Sequence, residues 1–465
     1  MRHTIDKTIK TIYALIDENF KQTAEPGPIV FDGIDELSFR SSPRMLLERE
    51  WEPETWLLTV KDPEKINIDL TVDDDSWDKW YEVRFIVEPN EEPNAELYFL
   101  RATEEARPSP VHVISVRTIE NQQILRKLRS FSRLSGAARA TKQKVQSLID
   151  QAVTGMRERM LVVYDVGQAN WHALVDVDNC PQVAPPVHLF FDFGLPTGWN
   201  YSTQPSPPID PLGSPYVKLG APVILSHWDM DHWAGAVFGQ PLYGTRGLAI
   251  NWDPRAVADR IWLVPNQGRF RSGQTLTPTA WRLALALHRY GNLLVWPSLM
   301  TRVQSREGDW IVKCDPPDTV KRNNNNTGLA LFVAHRDCLG LRGYILAPGD
   351  AEYASVYAFM HSSERIDHLV ASHHGGALQV PAAIPLASSH CSKLAFSHGS
   401  RYGHASPSSI ADHNAKGWTW QYETTNRYLR AAGLGGSIGL GRAVSCVHMS
   451  VCRNCAAAIH TCPFS

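Results

Sequence analysis

The residues of this sequence best suited to chemistry lie in one short stretch, 224–234, which reads ILSHWDMDHWA. It brings His227, Asp229, Asp231 and His232 together directly after the apolar run 221–225. Buried carboxylates and imidazoles are costly unless they are paired or bind a metal. The stretch therefore predicts a buried strand whose end delivers metal ligands.

Two imidazoles and two carboxylates on one loop suit a divalent transition metal, and the carboxylate share favours Zn or Mn. The donors are numerous enough for two ions. Two ions about 3.5–4 Å apart can activate a water and hold both the attacking and the leaving oxygen of a hydrolytic reaction. Metal-dependent hydrolysis is the chemistry that this loop predicts.

A second group of metal-capable side chains lies at the end of the sequence. The spacing Cys452-x-x-Cys455 is typical of a structural zinc knuckle, in which four ligands close a tetrahedral site. We favour Cys452, Cys455 and Cys462 with either His460 or Cys446 as the fourth ligand. The alternative is a frayed tail with unligated thiols.

Length and composition indicate a soluble protein of more than one domain. The 465 residues allow two or three domains, and the hydrophobic and charged fractions of 43% and 20% are ordinary for a globular protein. No apolar stretch approaches the roughly 20 residues of a membrane-spanning helix. The first twenty residues lack the pattern of a secretory signal. We therefore expect a cytoplasmic protein without a membrane contact.

The charge is unevenly distributed in the first third of the chain. Residues 48–105 hold 6 Lys and Arg against 18 Asp and Glu, whereas residues 117–144 hold 8 Lys and Arg against one Glu. The basic run has two interpretations, a solvated helical face or a contact with nucleic-acid phosphates.

The hydrophobic pattern divides the chain into four parts. Isoleucines at three- and four-residue spacing predict an amphipathic helix over 5–20, and short β-branched and aromatic runs predict strands at 55–60, 81–87 and 111–116. Helical periodicity then dominates up to residue 153, after which strands and helices alternate. The predicted parts are an α+β accessory domain (1–116), a basic helical connector (117–155), a hydrolase domain of the α/β class with layered strands and helices (156–435) and a Cys/His-rich tail (436–465).

The metal-binding stretch resembles the HxHxDH signature of the metallo-β-lactamase superfamily, with Asp229 in place of the second histidine. The variant HxDxDH is similar to the C-terminal hydrolase domain of ComEC-type DNA-uptake proteins and their soluble relatives. Further segments resemble motifs of that family in the same order, over a little over half of the chain. They are YDVGQ (164–168), FDFG (191–194), NNNNTGLAL (323–331), PGDAE (348–352), SHHGG (372–376) and RYGH (401–404).

The resemblance implies an αββα sandwich with a dinuclear metal site and assigns roles to individual residues. His227 and Asp229 would bind one ion, Asp231 and His232 the other, and Asp350 would bridge them. One of His373 and His374 would complete the set of ligands around the second ion. Asp192 would not bind an ion itself but would orient a ligand histidine or the nucleophilic water. Asp231 could double as a general base. His404 would bind the scissile phosphate or protonate the leaving group.

The sequence departs from the superfamily at one point, because it has no clear counterpart of the isolated ligand histidine that precedes the bridging aspartate. His288 and His335 lie in that interval, but neither has a supporting motif. The centre could therefore hold a single ion. Simpler roles remain open for several residues: a helix N-cap for Asp350, a solvent-facing pair for His373 and His374, a structural hydrogen bond for His404, and turn chemistry for Asp165 and Gln168.

The function predicted from these patterns is hydrolysis of phosphodiesters, with DNA as the favoured substrate because of the family resemblance and the basic connector. A stand-alone nuclease of bacterial defence is one hypothesis, with a protein partner for the N-terminal domain. One alternative is a hydrolase of small esters, lactones or nucleotides beneath the proline-rich loop 203–216. Another is a partner-binding module with a degenerate metal site.

Overall fold

The structure is a computed structural model of the whole chain. It describes residues 9–16, 28–48, 50–61, 63, 66, 79–87, 92–97, 100, 108–177, 185–197, 203–205, 208–213, 217–239, 242–244, 247–267, 276–336, 341–357, 365–389, 392–399, 403–424 and 436–441.

Strands dominate the described residues. In chain order the first elements are β1 (Ile9–Ile16), β2 (Ile29–Asp35), α1 (Glu36–Arg40), β3 (Thr55–Val60), β4 (Tyr81–Val87), β5 (Ala95–Leu97), β6 (Ser109–Thr118), α2 (Gln122–Ser132), α3 (Lys142–Val153), β7 (Arg159–Val163), β8 (Trp171–Asp176), β9 (Val187–Phe193) and β10 (Val223–Ile224). The later elements are β11 (Leu242–Gly244), β12 (Gly247–Ala249), α4 (Pro254–Val257), β13 (Trp262–Val264), α5 (Pro278–Arg289), β14 (Leu293–Val295), β15 (Arg302–Gln304), β16 (Trp310–Lys313), β17 (Leu329–Arg336), β18 (Arg342–Ala347), α6 (Tyr353–Tyr357), β19 (Ile366–Val370), β20 (Lys393–Phe396), α7 (Pro407–Ala415), β21 (Trp420–Glu423) and β22 (Ile438–Gly441).

The chain forms two compact units, and the division between them is not linear. Unit 1 contains residues 1–137 together with 237–252 and 267–290. Unit 2 contains residues 138–236, 253–266 and 291–465. Two segments from within the range predicted for the hydrolase domain, 156–435, therefore pack with the N-terminal residues.

Unit 1 is built on a closed barrel with strand order β1-β2-β3-β5-β6-β4. The predicted helix at the start of the chain is wrong, because Ile9–Ile16 is a strand that pairs antiparallel with β2 and β4. Ile12, Ala14 and Ile16 belong to the barrel core. Tyr13, which points the other way, is also buried and packs edge-on against Phe39 at 5.4 Å between ring centroids. Because both faces are covered from Ile12 to Ile16, this part of the strand shows no alternation of apolar and polar residues.

Helix α5 packs within unit 1 through a buried carboxylate and an aromatic contact. The backbone N–H and the hydroxyl of Thr279, at the start of the helix, donate to Asp32 of β2 at 3.2 and 2.9 Å. Trp281 lies 5.7 Å from Trp80 and 5.5 Å from Phe131 between ring centroids. Asp32 is fully buried, and this burial raises its pKa to about 7, although hydrogen bonds from Thr277 and Thr279 oppose the shift.

We predict that the Asp32→Asn variant loses a pH dependence of stability. Because the pKa of Asp32 is higher in the folded chain than in the unfolded one, its carboxyl costs nothing below about pH 4 and destabilises progressively between about pH 4 and pH 7. Asparagine keeps the acceptor oxygen without the charge. Above pH 7 the variant should be more stable than wild type by roughly 2–4 kcal/mol, since one pKa unit corresponds to about 1.4 kcal/mol.

The measurement is the urea unfolding midpoint of the full chain between pH 4.5 and pH 8. The same exchange at the exposed Asp318 serves as a control, which should follow the wild-type curve. Parallel curves for wild type and Asp32→Asn would contradict the prediction.

Unit 2 contains two seven-stranded sheets, with orders β14-β13-β10-β9-β8-β7-β22 and β15-β16-β17-β18-β19-β20-β21 among the described strands. In the first sheet β9, β10, β13 and β14 run parallel. In the second, β18 to β21 run parallel. Loops that leave the carboxyl ends of parallel strands meet at one edge of a sheet, where ligands bind in α/β proteins. Each sheet thus has one edge suited to a site.

The two sheets of unit 2 share one hydrophobic core. It combines residues of the first sheet, such as Leu161 and Phe191, with residues of the second, such as Leu331, Ile345 and Val370. The strands predicted near 160–167, 187–193, 329–334 and 343–347 and the helix near 281–288 are confirmed as elements. The complete αββα arrangement stays a prediction. None of the helices described is long and apolar enough to cross a membrane.

Candidate metal centre

The HWDMDH segment follows β10 and curls into a 3-10 turn over Met230–His232. His227 and His232 are fully buried, and Asp231 is nearly so. Gly194 allows the turn to lie against the end of β9, because a Cβ at Gly194 would clash with the carbonyl oxygen of Asp231. The strand end predicted from the sequence therefore delivers its side chains into the interior of the unit.

Asp350 and His374 reach the same place from the second sheet, where β18 and β19 end. The Nε2 atom of His232 lies 3.2 Å from Oδ1 of Asp350, and Nε2 of His374 lies 3.2 Å from Oδ2 of Asp231. The described donors form two groups, His227 with His232 and Asp350, and Asp231 with His232 and His374. Within each group the ligand atoms lie within 4.8 Å of one another.

Two buried donor atoms in these groups indicate that the residues fit a metal ion. Nε2 of His227 and Oδ1 of Asp231 form no hydrogen bond with the residues that the structure describes, although Oδ2 of Asp229 lies 3.2 Å from Nε2 of His227. Leaving buried polar atoms unsatisfied costs free energy, whereas a divalent cation accepts both imidazole nitrogen and carboxylate oxygen. The arrangement can therefore hold divalent metal.

Asp229 and His373 lie at the border of the centre. Oδ2 of Asp229 is 3.2 Å from Nε2 of His227, and Nε2 of His373 is 3.8 Å from Oδ2 of Asp350. The side chain of His373 is 30% exposed, whereas that of His374 is 3% exposed and also contacts Asp231. Between the two neighbouring histidines, the geometry favours His374 as the ligand in the Asp231 group.

Asp192 forms hydrogen bonds with both ends of the candidate metal-binding loop, residues 226–232. Its Oδ1 accepts a hydrogen bond from the backbone N–H of Ser226 at 2.6 Å, and its Oδ2 accepts one from the Ser226 hydroxyl at 2.8 Å. The same Oδ2 lies 2.9 Å from Nδ1 of His232. A protonated Nδ1 leaves Nε2 of His232 as the atom facing Asp350, which is how carboxylates orient metal-binding histidines.

His374 is oriented in the same manner by the next strand. Its Nδ1 lies 2.6 Å from the backbone carbonyl oxygen of Ser397, which follows β20. Donation to that carbonyl fixes Nε2 as the free nitrogen, and this nitrogen faces Asp231. The second sheet therefore sets the tautomer of His374 with a backbone oxygen, and the first sheet sets that of His232 with a carboxylate.

The centre gathers charges that shift one another's pKa values. Burial lowers the pKa of His232, but the carboxylates of Asp350 and Asp192 more than offset it and raise the pKa well above its ordinary value. Burial acts in the opposite direction on Asp350, and the charges of His232 and His374 hold the pKa of this carboxyl well below its usual range. Asp350 is therefore ionised at neutral pH, as a ligand must be.

His404 lies beside the centre. Its ring centroid is 6.0 Å from that of His373 and 6.3 Å from that of His374. Burial lowers the pKa of His404 to about 3, and the charge of His374 adds to the effect. The imidazole is thus neutral at physiological pH, which favours a hydrogen bond to a substrate oxygen over proton donation as an imidazolium.

Three residues at the site were missed by the sequence reasoning: Asn170, Ser226 and Ser397. The side-chain amide of Asn170 lies 3.0 Å from Oδ1 of Asp350. Ser226 immediately precedes His227, and Asn170 stands two positions after Gln168 of the predicted turn. Their proximity to recognised motifs was the available signal. Ser397 acts through its backbone oxygen, so its residue type gave no signal in the sequence.

Other predicted residues take different positions. Gln168 connects loops, because its backbone N–H donates to Thr203 Oγ1 and its side-chain oxygen accepts from the N–H of Gly399. His335 lies 3.1 Å from Asp367 and is in neither donor group, and His288 is in α5 of unit 1. Arg401 and the tail residues lie outside the described residues. The tail residues are Cys446, His448, Cys452, Cys455, His460 and Cys462.

The chain matches no protein-family model and no curated protein. Among solved structures, it is similar to that of Tm1679, a metal-dependent hydrolase of the β-lactamase superfamily. The identity is 10% and the TM-score 0.32, and the similarity covers 61% of this chain and 100% of that chain.

We predict that Asp192→Asn weakens metal binding without removing a ligand. Asparagine can satisfy Ser226 only in part and cannot stabilise the Nδ1–H of His232 with a charge. The loss of such a supporting partner costs about 10–100-fold in metal affinity. Isothermal titration of the metal-free chain with Mn²⁺ measures this loss of affinity.

Asp210→Asn is the control for this exchange, since Asp210 forms an exposed ion pair with Arg255 and should leave metal affinity unchanged. An Asp192→Asn affinity equal to that of wild type would show that the carboxylate does not support the centre.

Proposed function

We propose that this protein is a metal-dependent hydrolase of the metallo-β-lactamase type, with an αββα sandwich, that cleaves phosphodiesters, with DNA as its substrate. The observation that carries the proposal is the pair of donor groups that share His232, with Asp350 in one and His374 in the other. Because Nδ1 of His232 faces Asp192, its Nε2 can bind only one ion. A second ion would share the carboxylate of Asp350, whose Oδ1 lies 3.2 Å from Nε2 of His232 and whose Oδ2 lies 3.9 Å from Nε2 of His227.

Divalent ions, when bound, would lower the pKa of a water and neutralise charge that develops on the phosphate. The protein's own residues prepare this chemistry. Asp192 and the Ser397 carbonyl orient His232 and His374, so that their Nε2 atoms already face the carboxylates of Asp350 and Asp231. Burial of the donors excludes bulk water and strengthens each electrostatic interaction.

Asp231 and His404 would act on the substrate side of the centre. Burial raises the pKa of the Asp231 carboxyl, but the charge of His232 and the hydrogen bond and charge of His374 outweigh burial and lower it. Asp231 therefore stays ionised. Its first role would be that of a metal ligand and its second that of a general base. The neutral ring of His404 can donate one hydrogen bond to a phosphate oxygen.

A polyanionic substrate is supported by the basic run 117–144. Arg117, Arg126, Arg139, Lys142 and Lys144 of this run are exposed. Lys127, Arg129 and Arg133 are less exposed. The ammonium of Lys127 donates to the carbonyl oxygens of Phe39 and Ser42 and so belongs to the fold. Exposed cations of this kind bind phosphates with an affinity that falls as salt rises.

The proposal predicts cleavage of labelled single- or double-stranded DNA by the full chain with Mn²⁺ or Zn²⁺, and loss of that cleavage in Asp350→Asn. The loss should be at least about a hundredfold, since even a residue that only supports a ligand contributes about 10–100-fold. Asp210→Asn serves again as the matched control.

The same assay separates the alternatives. Inactivity of wild type towards DNA, combined with Asp350-dependent hydrolysis of small phosphate or carboxylate esters, would replace DNA by a small substrate. Fewer than about one ion per chain beyond those in the tail, measured by element analysis beside a chain truncated before Cys446, would contradict a metal-dependent enzyme altogether.

We further predict that His404→Gln separates catalysis from metal binding. If His404 contacts the scissile phosphate, kcat should fall by about 10²–10⁴-fold, the range of a positioned side chain acting on the reacting group. The metal content should equal that of wild type. A parallel loss of metal would instead make His404 part of the ligand set.

A further inference from the structure

We infer that Asn170 is an additional metal ligand, which binds through its side-chain carbonyl oxygen between His232 and Asp350. The inference rests on the proposed metal-dependent function. It concerns a residue that the HxDxDH pattern does not include, and it adds a neutral oxygen to the donor set.

The distances around the Asn170 amide carry the inference. Its terminal nitrogen lies 3.0 Å from Oδ1 of Asp350 and 3.4 Å from Nε2 of His232. Those two atoms lie 3.2 Å from each other. Ligand atoms that share one ion at about 2.0–2.2 Å are themselves separated by about 3.0–3.5 Å. The three atoms therefore form a triangle of the size expected for one face of a coordination shell.

The oxygen of the amide can take the place of its nitrogen. The two ends of an asparagine side chain have nearly the same shape and exchange by rotation about χ2. Without a cation, the N–H end is favoured because it donates to the ionised Asp350. When Asp350 and His232 both face a cation, the electrostatic preference reverses, because the carbonyl dipole presents its negative end to the charge. An amide carbonyl is an established ligand of hard divalent ions.

The backbone holds Asn170 in position for this role. Its N–H donates to the carbonyl oxygen of Asp231 at 3.1 Å, and its carbonyl oxygen accepts from the N–H of Gly194 at 2.8 Å. The residue is 2% exposed. Asn170 is thus tied to the metal-binding loop on one side and to the end of β9 on the other. Only rotation of its side chain is needed to bring the oxygen into the centre.

A further oxygen changes which metal the centre should prefer. Asn170 adds a fourth oxygen donor to those of Asp229, Asp231 and Asp350. The nitrogen donors of the centre are unchanged. Carboxylate, carbonyl and water ligands suit Mn²⁺, whereas Zn²⁺ takes fewer ligands in tetrahedral sites. We therefore expect Mn²⁺ to be the ion whose binding depends most on Asn170.

The test compares Mn²⁺ affinities of the full chain and its Asn170→Leu and Asn170→Asp variants by isothermal titration, with free Mn²⁺ counted by electron paramagnetic resonance. Leucine has the shape of asparagine without an oxygen, and aspartate keeps an oxygen but has no N–H. The thiolates of the tail favour softer ions than Mn²⁺, so the tail can stay in place. Circular dichroism checks folding, and Asn170→Ala replaces leucine if that variant does not fold.

A ligand oxygen predicts that Asn170→Leu weakens Mn²⁺ binding by at least about tenfold, while Asn170→Asp binds as tightly as wild type or more tightly. Asn292→Leu, which removes an amide at the amino-terminal end of β14, should leave the affinity unchanged. Equal affinity of wild type and Asn170→Leu overturns the inference. So does an equal loss in Leu and Asp, because it would show that the residue acts only by donating to Asp350. Absence of Mn²⁺ binding by wild type, together with fewer than about one ion per chain beyond those in the tail by element analysis, overturns the proposed function with it.

Discussion

The position of the candidate metal-binding loop depends on the buried carboxylate of Asp192. It accepts two hydrogen bonds from Ser226 and a third from His232, and it is fully buried. The residue has a φ of 59°, a left-handed conformation that costs about 1–3 kcal/mol in a residue other than glycine. The hydrogen bonds offset that cost. The bent end of β9 places one carboxylate where it contacts both Ser226 and His232 of the candidate metal-binding loop.

The second constraint is the direction of the strands. Asp192 is the second-last residue of β9, and the candidate metal-binding loop follows β10. Asp350 and His374 follow β18 and β19, which run parallel. Residues far apart in sequence meet because parallel strands deliver their carboxyl ends to one edge. The core shared by the two sheets then brings both edges together. The site is thus a consequence of strand direction and sheet packing, and loop sequence only decides which donors are presented.

These constraints explain how much could be predicted from sequence. Donors that follow an apolar strand directly, such as His227 and Asp350, are visible as motifs. The strand at Ile9–Ile16 was missed because both of its faces are buried from Ile12 onward, which removes the alternation that distinguishes a strand from a helix. The assignment of 267–290 to unit 1 depends on the contacts of Asp32 and Trp281 over long sequence separations, which no local pattern encodes.

The charge balance of the centre gives a reason for an asparagine at position 170. Four aspartates, Asp192, Asp229, Asp231 and Asp350, lie at the centre, and the neighbouring histidines lower the pKa values of Asp231 and Asp350 although burial opposes the shift. Without ions, burial opposes this much negative charge, and part of the compensation comes from the raised pKa values of His232 and His374. A further carboxylate would tighten cation binding but would add repulsion that the ion-free fold has to bear. An amide supplies a ligand oxygen without that repulsion, and it can donate to Asp350 while no cation is present. One neutral side chain therefore suits both states of the centre, which neither aspartate nor an apolar residue would do.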